Sequence, residues 1–260
     1  MSFATVIDAL GIPPSALVEQ RVPKKLLLEH GAPTAADKRQ IQDGIEEIVW
    51  VAALKPTNIG VPAFQDAERQ YLEIAVLTVE LRPAAKPARL IELIHRAIPY
   101  PLVLTTGQDE SVSLSLAHKR WSQGEAGKVV IEDIRQVALC PDAPSTQEAA
   151  FLACLAVSRL PPRDLFTLYD GMLARLVALE ASRITGAFAP PDSPDQAAAI
   201  REGLDLHAWL QRDLDLLRAR AAKEKQINRR VELNLGIKAL ESKLSSITTN
   251  LGGGNSNESN

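Results

Sequence analysis

KEKQINRRVELNLGIKALESKL, Lys223 to Leu244, opens on alternating charge and closes on a seam of leucine and isoleucine. Around it, from Arg218 to Arg230, six basic residues (Arg218, Arg220, Lys223, Lys225, Arg229 and Arg230) meet one acid, Glu224. That window carries +5 in a chain of net charge −3, leaving −8 for the remainder. The acidic net charge argues against a protein coated for general nucleic-acid binding, and it hides this local asymmetry. Just upstream, Leu210, Leu214, Leu217 and Ala221 alternate four and three apart, as a coiled-coil seam does. Downstream, Leu233, Ile237, Leu240, Leu244 and Ile247 repeat the spacing out of register with the first series. Two arrangements satisfy this: the helix folds back as a hairpin at the basic window, or it runs on with its contact face rotated. Gly203 and Gly236 are the only helix breakers between Ala197 and Ile247. The continuous helix is therefore expected, with Leu233, Ile237, Leu240 and Leu244 left over as a seam for a partner.

The basic window has three uses. Its cations can neutralise phosphates, giving weak and strongly salt-dependent binding to DNA. They can steer an acidic protein partner toward the flanking apolar seams. Or they can form a solvated helix face. No aromatic residue lies in the window, so base stacking is not indicated.

Upstream of the long helix, Pro161 to about Ala187 carries Leu165, Leu168, Tyr169, Met172, Leu173 and Leu176 on one face, and Ser145 can cap a helix before it. The first 142 residues differ. Thr34 with Asp37 three positions on marks a helix start, and Ile41, Ile45 and Ile48 recur at helical spacing. "YLEIAVLTVELRP" is apolar on both faces, the pattern of a central strand, and Pro83 stops it. "KPARLIELIHRAIP" is an amphipathic helix between Pro87 and Pro99. "PLVLTTGQDESVSLSLAHKRW" forms a hairpin turning over Gly107 to Ser111, and "KVVIEDIRQVAL" one more strand. The fold class is α+β: a small mixed α/β sheet domain over 1–142, a helical region over 145–250 with a long coiled-coil-like helix, and a disordered tail over 251–260.

The longest apolar run, AAFLACLAV, is nine residues against the roughly 20 that span a bilayer, and no secretory leader is seen; a cytoplasmic protein without a membrane partner is expected. Cys140 and Cys154 lack metal or disulfide spacing and are assigned as small buried hydrophobes. His30, His95, His118 and His207 fall on separate elements and are assigned to surface or rim, and "HKRW" from His118 to a sheet edge. No phosphate loop, dinucleotide fingerprint, nucleophile elbow or zinc-protease motif occurs, so no catalytic residue, metal ligand or cofactor is assigned. One enzymatic alternative stands. Acids on the first helix (Glu46, Glu47) and Glu80 closing a central strand loosely echo restriction-endonuclease-like, metal-dependent nucleases. Arg82 stands where such enzymes usually carry lysine, and Asp66 and Glu68 fall in a loop.

"RVPKKLLLEHG", "IVWVAALKPTNIGVP", "EIAVLTVELRP", "LIHRAIPYPLVL" and above all "KEKQINRRVELNLGIKALESKL" together resemble the bacterial domain of unknown function 4391 family, from about Arg21 to Leu244. The resemblance implies context more than chemistry: members encoded beside helicases and DNA methyltransferases, in clusters like restriction-modification or antiphage defence systems, with no established catalytic residues. It implies an accessory or scaffold subunit with helicase and methyltransferase partners; the basic window adds DNA as a candidate contact, and the C-terminal helix self-association.

Overall fold

The computed structural model describes residues 3–124, 129–140 and 142–252. The elements in chain order are α1 (Ala4–Ala9), β1 (Leu17–Arg21), α2 (Lys24–His30), α3 (Ala35–Gly44), β2 (Ile45–Leu54), α4 (Pro56–Ile59), β3 (Phe64–Gln65), β4 (Gln70–Tyr71), β5 (Ile74–Leu81) and α5 (Pro87–Ala97). They continue with β6 (Leu102–Gln108), β7 (Ser111–Leu116), β8 (Lys119–Trp121), β9 (Val129–Ile131), β10 (Arg135–Leu139), α6 (Thr146–Cys154), α7 (Leu165–Thr185), α8 (Pro194–Lys223) and α9 (Ile227–Gly252). Two compact units result, Met1–Leu176 and Val177–Asn260.

The first unit is built on a six-stranded sheet in the order β1-β2-β5-β6-β7-β10. β5 and β6 are parallel, joined by α5; every other neighbouring pair is antiparallel. β5 is buried from Ile74 through Val79, as a strand apolar on both faces must be. Ala75, Leu77 and Val79 share a core with Ile45 and Ile48 of β2, Leu102 and Leu104 of β6, and Leu90, Leu93 and Ile94 of α5. Thr34 caps α3 by accepting from the Asp37 amide at 3.1 Å. Asp37 in turn holds Arg89 of α5 through two bonds of 2.8 and 3.0 Å. That guanidinium, with the Thr34 hydroxyl, pulls the Asp37 carboxyl down to about 2.

Three local expectations are corrected. Ile45 and Ile48 belong to β2, not to the preceding helix, so Glu46 and Glu47 lie on a strand. The helix ends at Gly44, where a Cβ would stand 2.9 Å from Leu90 Cδ1; the backbone there must pass against α5. Bulges at Ile45/Glu47 and Trp50/Ala52 broke the two-residue alternation that would have marked β2. The β6–β7 turn is shorter than Gly107 to Ser111: Gly107 pairs with Val112 inside the ladder, and Asp109 (φ 51°) makes the turn. The single strand expected before Leu139 is two, β9 pairing with β8 in a separate ribbon and β10 with β7.

The sheet unit also extends past residue 142. Tyr169 of α7 donates to the Leu102 carbonyl at 2.8 Å and accepts from the Ala117 amide at 2.9 Å. Its neighbour Asp170 accepts from His118 Nε2 at 3.2 Å, and Nδ1 of that ring faces the Tyr71 hydroxyl at 2.6 Å. A carboxylate only accepts, so Nε2 carries a proton toward Asp170, and in the neutral ring Nδ1 is left to accept from Tyr71. Burial drives the Tyr71 phenol far above its usual pKa, which keeps it a donor.

In the second unit α8 and α9 form an antiparallel hairpin. Gly203 faces Leu251, Gly236 faces Leu217, and Arg218 Nη2 bonds Glu241 Oε1 at 2.7 Å. The expected continuous helix is overturned: α8 stops at Lys223, Glu224 turns extended, and α9 starts at Ile227. Leu251 and Gly252 are the last turn of α9, and the rest of the expected tail lies outside the described residues. No helix of the described residues is long and apolar enough to cross a membrane.

Candidate docking site on the C-terminal hairpin

The hairpin satisfies both apolar series at once. Leu210 and Leu214 of α8 close on Leu240 and Leu244 of α9, with Leu217, Ile237 and Ile247 packed beside them. Folding back brings two four-and-three stripes face to face, whereas a continuous helix would leave both in water. Fully burying a large aliphatic side chain contributes roughly 1.5–3 kcal/mol, so the four buried leucines, with three partly buried neighbours, outweigh the few residues of helix lost at the turn. Of the residues expected as a partner seam, Leu240 and Leu244 are buried within the chain, Ile237 packs half-buried beside them, and Leu233, also half-buried, borders open space.

The turn is made without glycine or proline. Glu224 leaves the helix with φ −77° and ψ 125°, and its Oε1 accepts from the Gln226 amide at 2.8 Å, supplying the bond that the helix no longer gives. All six cations of the basic window are exposed, and the turn gathers them at one end of the hairpin. Arg218 is paired with Glu241, while Arg220, Lys223, Lys225, Arg229 and Arg230 form no ion pair among the described residues. Between the helices at this end lies a groove of about 590 Å³. Leu217, Leu233 and Gly236 form its apolar part; Arg220, Lys223 and Arg229 rim it together with Glu224 and Glu232. At the open end a second, more apolar cleft of about 400 Å³ runs past Ile200, Leu206, Ile247 and Leu251.

The hairpin's outward faces are not polar throughout. Trp209 and Leu216, seven apart on α8, and Ile227, Val231 and Leu235, four apart on α9, are each more than half exposed. The spacing makes two stripes, neither of which the hairpin seam uses. Sequence reasoning singled out none of these five residues. A second helical periodicity beside the main seam was the available signal.

Elsewhere the assigned residues move inward. His95 and His118 are buried, not at a surface or rim; His30 is exposed and His207 half-buried. Burial lowers the His95 imidazole to about 3, so it is neutral, facing Ser115 Oγ at 3.1 Å. Lys119 is also buried rather than at a free sheet edge. Its Nζ donates to the carbonyls of Ile98 and Tyr100 just past the end of α5, and burial brings it down to about 7. Cys140 is exposed and Cys154 half-buried, so neither is a core hydrophobe; both are free thiols.

Of the nuclease residues, Glu80 faces Glu47 across the β2–β5 ladder. Arg21 holds Glu47, Arg82 holds Glu46, and Asp66 closes a turn by accepting from the Glu68 and Arg69 amides. Among the described residues no three carboxylates, imidazoles or thiols converge to hold a metal.

Sheet, hairpin and outward stripes together define a two-part α+β protein with an unpartnered helical hairpin as its candidate site. The family described as Domain of unknown function (DUF4391) matches residues 10–244, and the chain belongs to it. That span takes in the sheet unit, the basic turn and most of the hairpin. No curated protein and no solved structure matches the chain.

Proposed function

We propose that the protein is a non-catalytic accessory subunit that docks onto other proteins through the outer surface of its C-terminal hairpin. The observation that carries this is the exposed set Trp209, Leu216, Ile227, Val231 and Leu235 on a hairpin whose own seam is already closed. Large apolar side chains ranged in stripes on a rigid pair of helices suit helix-in-groove or helix-on-helix association. The unpaired cations at the turn add steering toward an acidic surface. Kinship with the family suggests the partners: helicase and DNA-methyltransferase subunits of a restriction-like, antiphage defence system.

Co-expression with candidate helicase and DNA-methyltransferase subunits, followed by affinity purification of the full chain, tests this. A stoichiometric complex that is lost in Trp209→Glu/Leu235→Glu is the expected result, with the helical circular dichroism unchanged. A monodisperse monomer in the presence of both candidates overturns the assignment. Assembly of the chain only with itself replaces those partners by a second copy.

A metal-dependent nuclease has one observation in its favour, the cross-strand pairing of Glu47 with Glu80. Adjacent positions of this kind set side chains roughly 5 Å apart, within reach of one divalent cation. The test is cleavage of DNA with Mg²⁺ or Mn²⁺, abolished by Glu80→Gln. Cleavage that survives this change, or none at all, removes it.

A further inference from the structure

Two glycines in the interior of the hairpin helices stand in different situations. A Cβ at Gly203 would come within 2.8 Å of Leu251 Cδ2, so the end of that leucine would have to shift. At Gly236 nothing requires glycine. The residue is mid-helix without positive φ, and an added Cβ would meet only Leu217 Cδ1, at an ordinary 3.5 Å. Glycine in a helix interior weakens the helix more than any residue but proline. What its missing side chain does is leave Leu217 and Leu233 uncovered on the floor of the groove beside the turn.

That floor is rimmed by Arg220, Lys223 and Arg229, none of them in an ion pair among the described residues, with Lys225 on the turn and Arg230 at the start of α9. Glu224 and Glu232 also border it, and Glu224 is engaged with the Gln226 amide. This mixture selects among polyanions. A nucleic-acid backbone carries a charge on every phosphate and would meet both carboxylates, on an apolar floor with no aromatic for a base to stack on. A peptide can place its carboxylates on the cations, present an amide or hydroxyl to Glu224 and Glu232, and set one apolar side chain on Leu217 and Leu233.

We propose that the groove between α8 and α9 at the turn end is a peptide-docking site for an acidic protein segment anchored by a single large aliphatic side chain. This deepens the docking function proposed above and rests on it for its biological role, though the site's chemistry stands separately. Fluorescence anisotropy on the full chain tests it. The probes are a labelled twelve-residue peptide of Asp, Glu and Ser with one central Leu, its central-Ala counterpart, and a twelve-nucleotide single-stranded DNA. The Leu peptide should bind at least tenfold more tightly than the Ala peptide and the oligonucleotide, and weaken as salt rises. Gly236→Leu should fill the floor and lose at least tenfold in peptide affinity while the hairpin melts at a higher temperature, an outcome that damage to the fold would not give. Arg220→Glu/Lys223→Glu/Arg229→Glu should lose binding with helicity retained. Equal binding of the two peptides, tighter binding of the oligonucleotide, no peptide binding, or a Gly236→Leu protein that binds as before would each overturn the site. Peptide binding intact with no helicase or methyltransferase complex would instead sink the accessory-subunit role and leave the groove standing. A complex that survives Gly236→Leu when peptide binding does not would show docking by the outward stripes alone.

Discussion

The sheet unit and the hairpin are stabilised in opposite ways. In the sheet unit, several buried polar side chains are matched over long stretches of chain. Tyr71, His118 and Asp170 form one hydrogen-bonded set, and Tyr169 reaches the backbone of Ala117 and Leu102, 52 and 67 residues away. In the hairpin the matching is apolar and joins two consecutive helices, four leucines closing across a turn, while large side chains on the outside stay open. A unit whose polar groups find each other internally is specified as a fold. One that leaves apolar stripes and unpaired cations in water is specified as a contact. The contrast assigns scaffold to the first and docking to the second.

The largest effect should come from the sheet core. Leu77 is fully buried between β2 and β6, and Leu77→Ala is expected to cost about 3 kcal/mol, read by denaturant unfolding of the whole sheet unit. In the hairpin Leu214→Ala should cost less, about 2 kcal/mol, since the cavity adjoins solvent and can collapse. Hydrogen exchange should localise that loss to α8 and α9; accelerated exchange of β5 as well would break the comparison.

Lys119 sharpens it from the sheet side. Unfolded, this lysine holds its proton to about 10.5; folded, burial releases it near 7. Between those values the unfolded chain binds more protons, so stability should rise with pH, by at most about 1.4 kcal/mol per pH unit. Lys119→Met should flatten that part of the profile, measured as the difference in urea midpoint from the parent between pH 7 and 10. An unchanged slope would mean the amine is solvated. The smallest effect belongs to Arg218 and Glu241, both about half exposed. A double-mutant cycle should give less than about 1 kcal/mol, vanishing in high salt; a larger coupling would make charge, not the leucine seam, the hairpin's closure.

Local signals were legible in the sequence wherever a few neighbouring residues decide the outcome. The Thr34 and Ser145 caps, the α5 stripe beginning at Pro87 and the doubly buried β5 all follow from spacing alone, as does the α+β class. Long-range matching was not legible. Nothing near His118 or Lys119 announces that Asp170 or the end of α5 will enclose them, so charged and polar residues there look like an edge. The hairpin was hidden for a different reason. Lys223, Lys225 and Gln226 are good helix formers, and only the sum of two apolar series, each complete by itself, explains why the chain turns among them. The basic cluster was visible as charge; its gathering around a groove floored by Leu217 and Leu233 depended on that turn.

Whether those two series close on each other is the point on which the docking surface depends, and a pair of spin labels measures it directly. With the free Cys140 and Cys154 replaced by Ser, labels at the exposed positions 208 and 246 (Ala208→Cys, Ser246→Cys) stand level across the hairpin. Helix axes in contact lie about 8–10 Å apart, which places the labels roughly 10–25 Å from each other. A continuous helix would hold them about 57 Å apart at 1.5 Å per residue. The short distance is the predicted result; a distribution centred near the long one would free Leu233, Ile237, Leu240 and Leu244 and contradict the account.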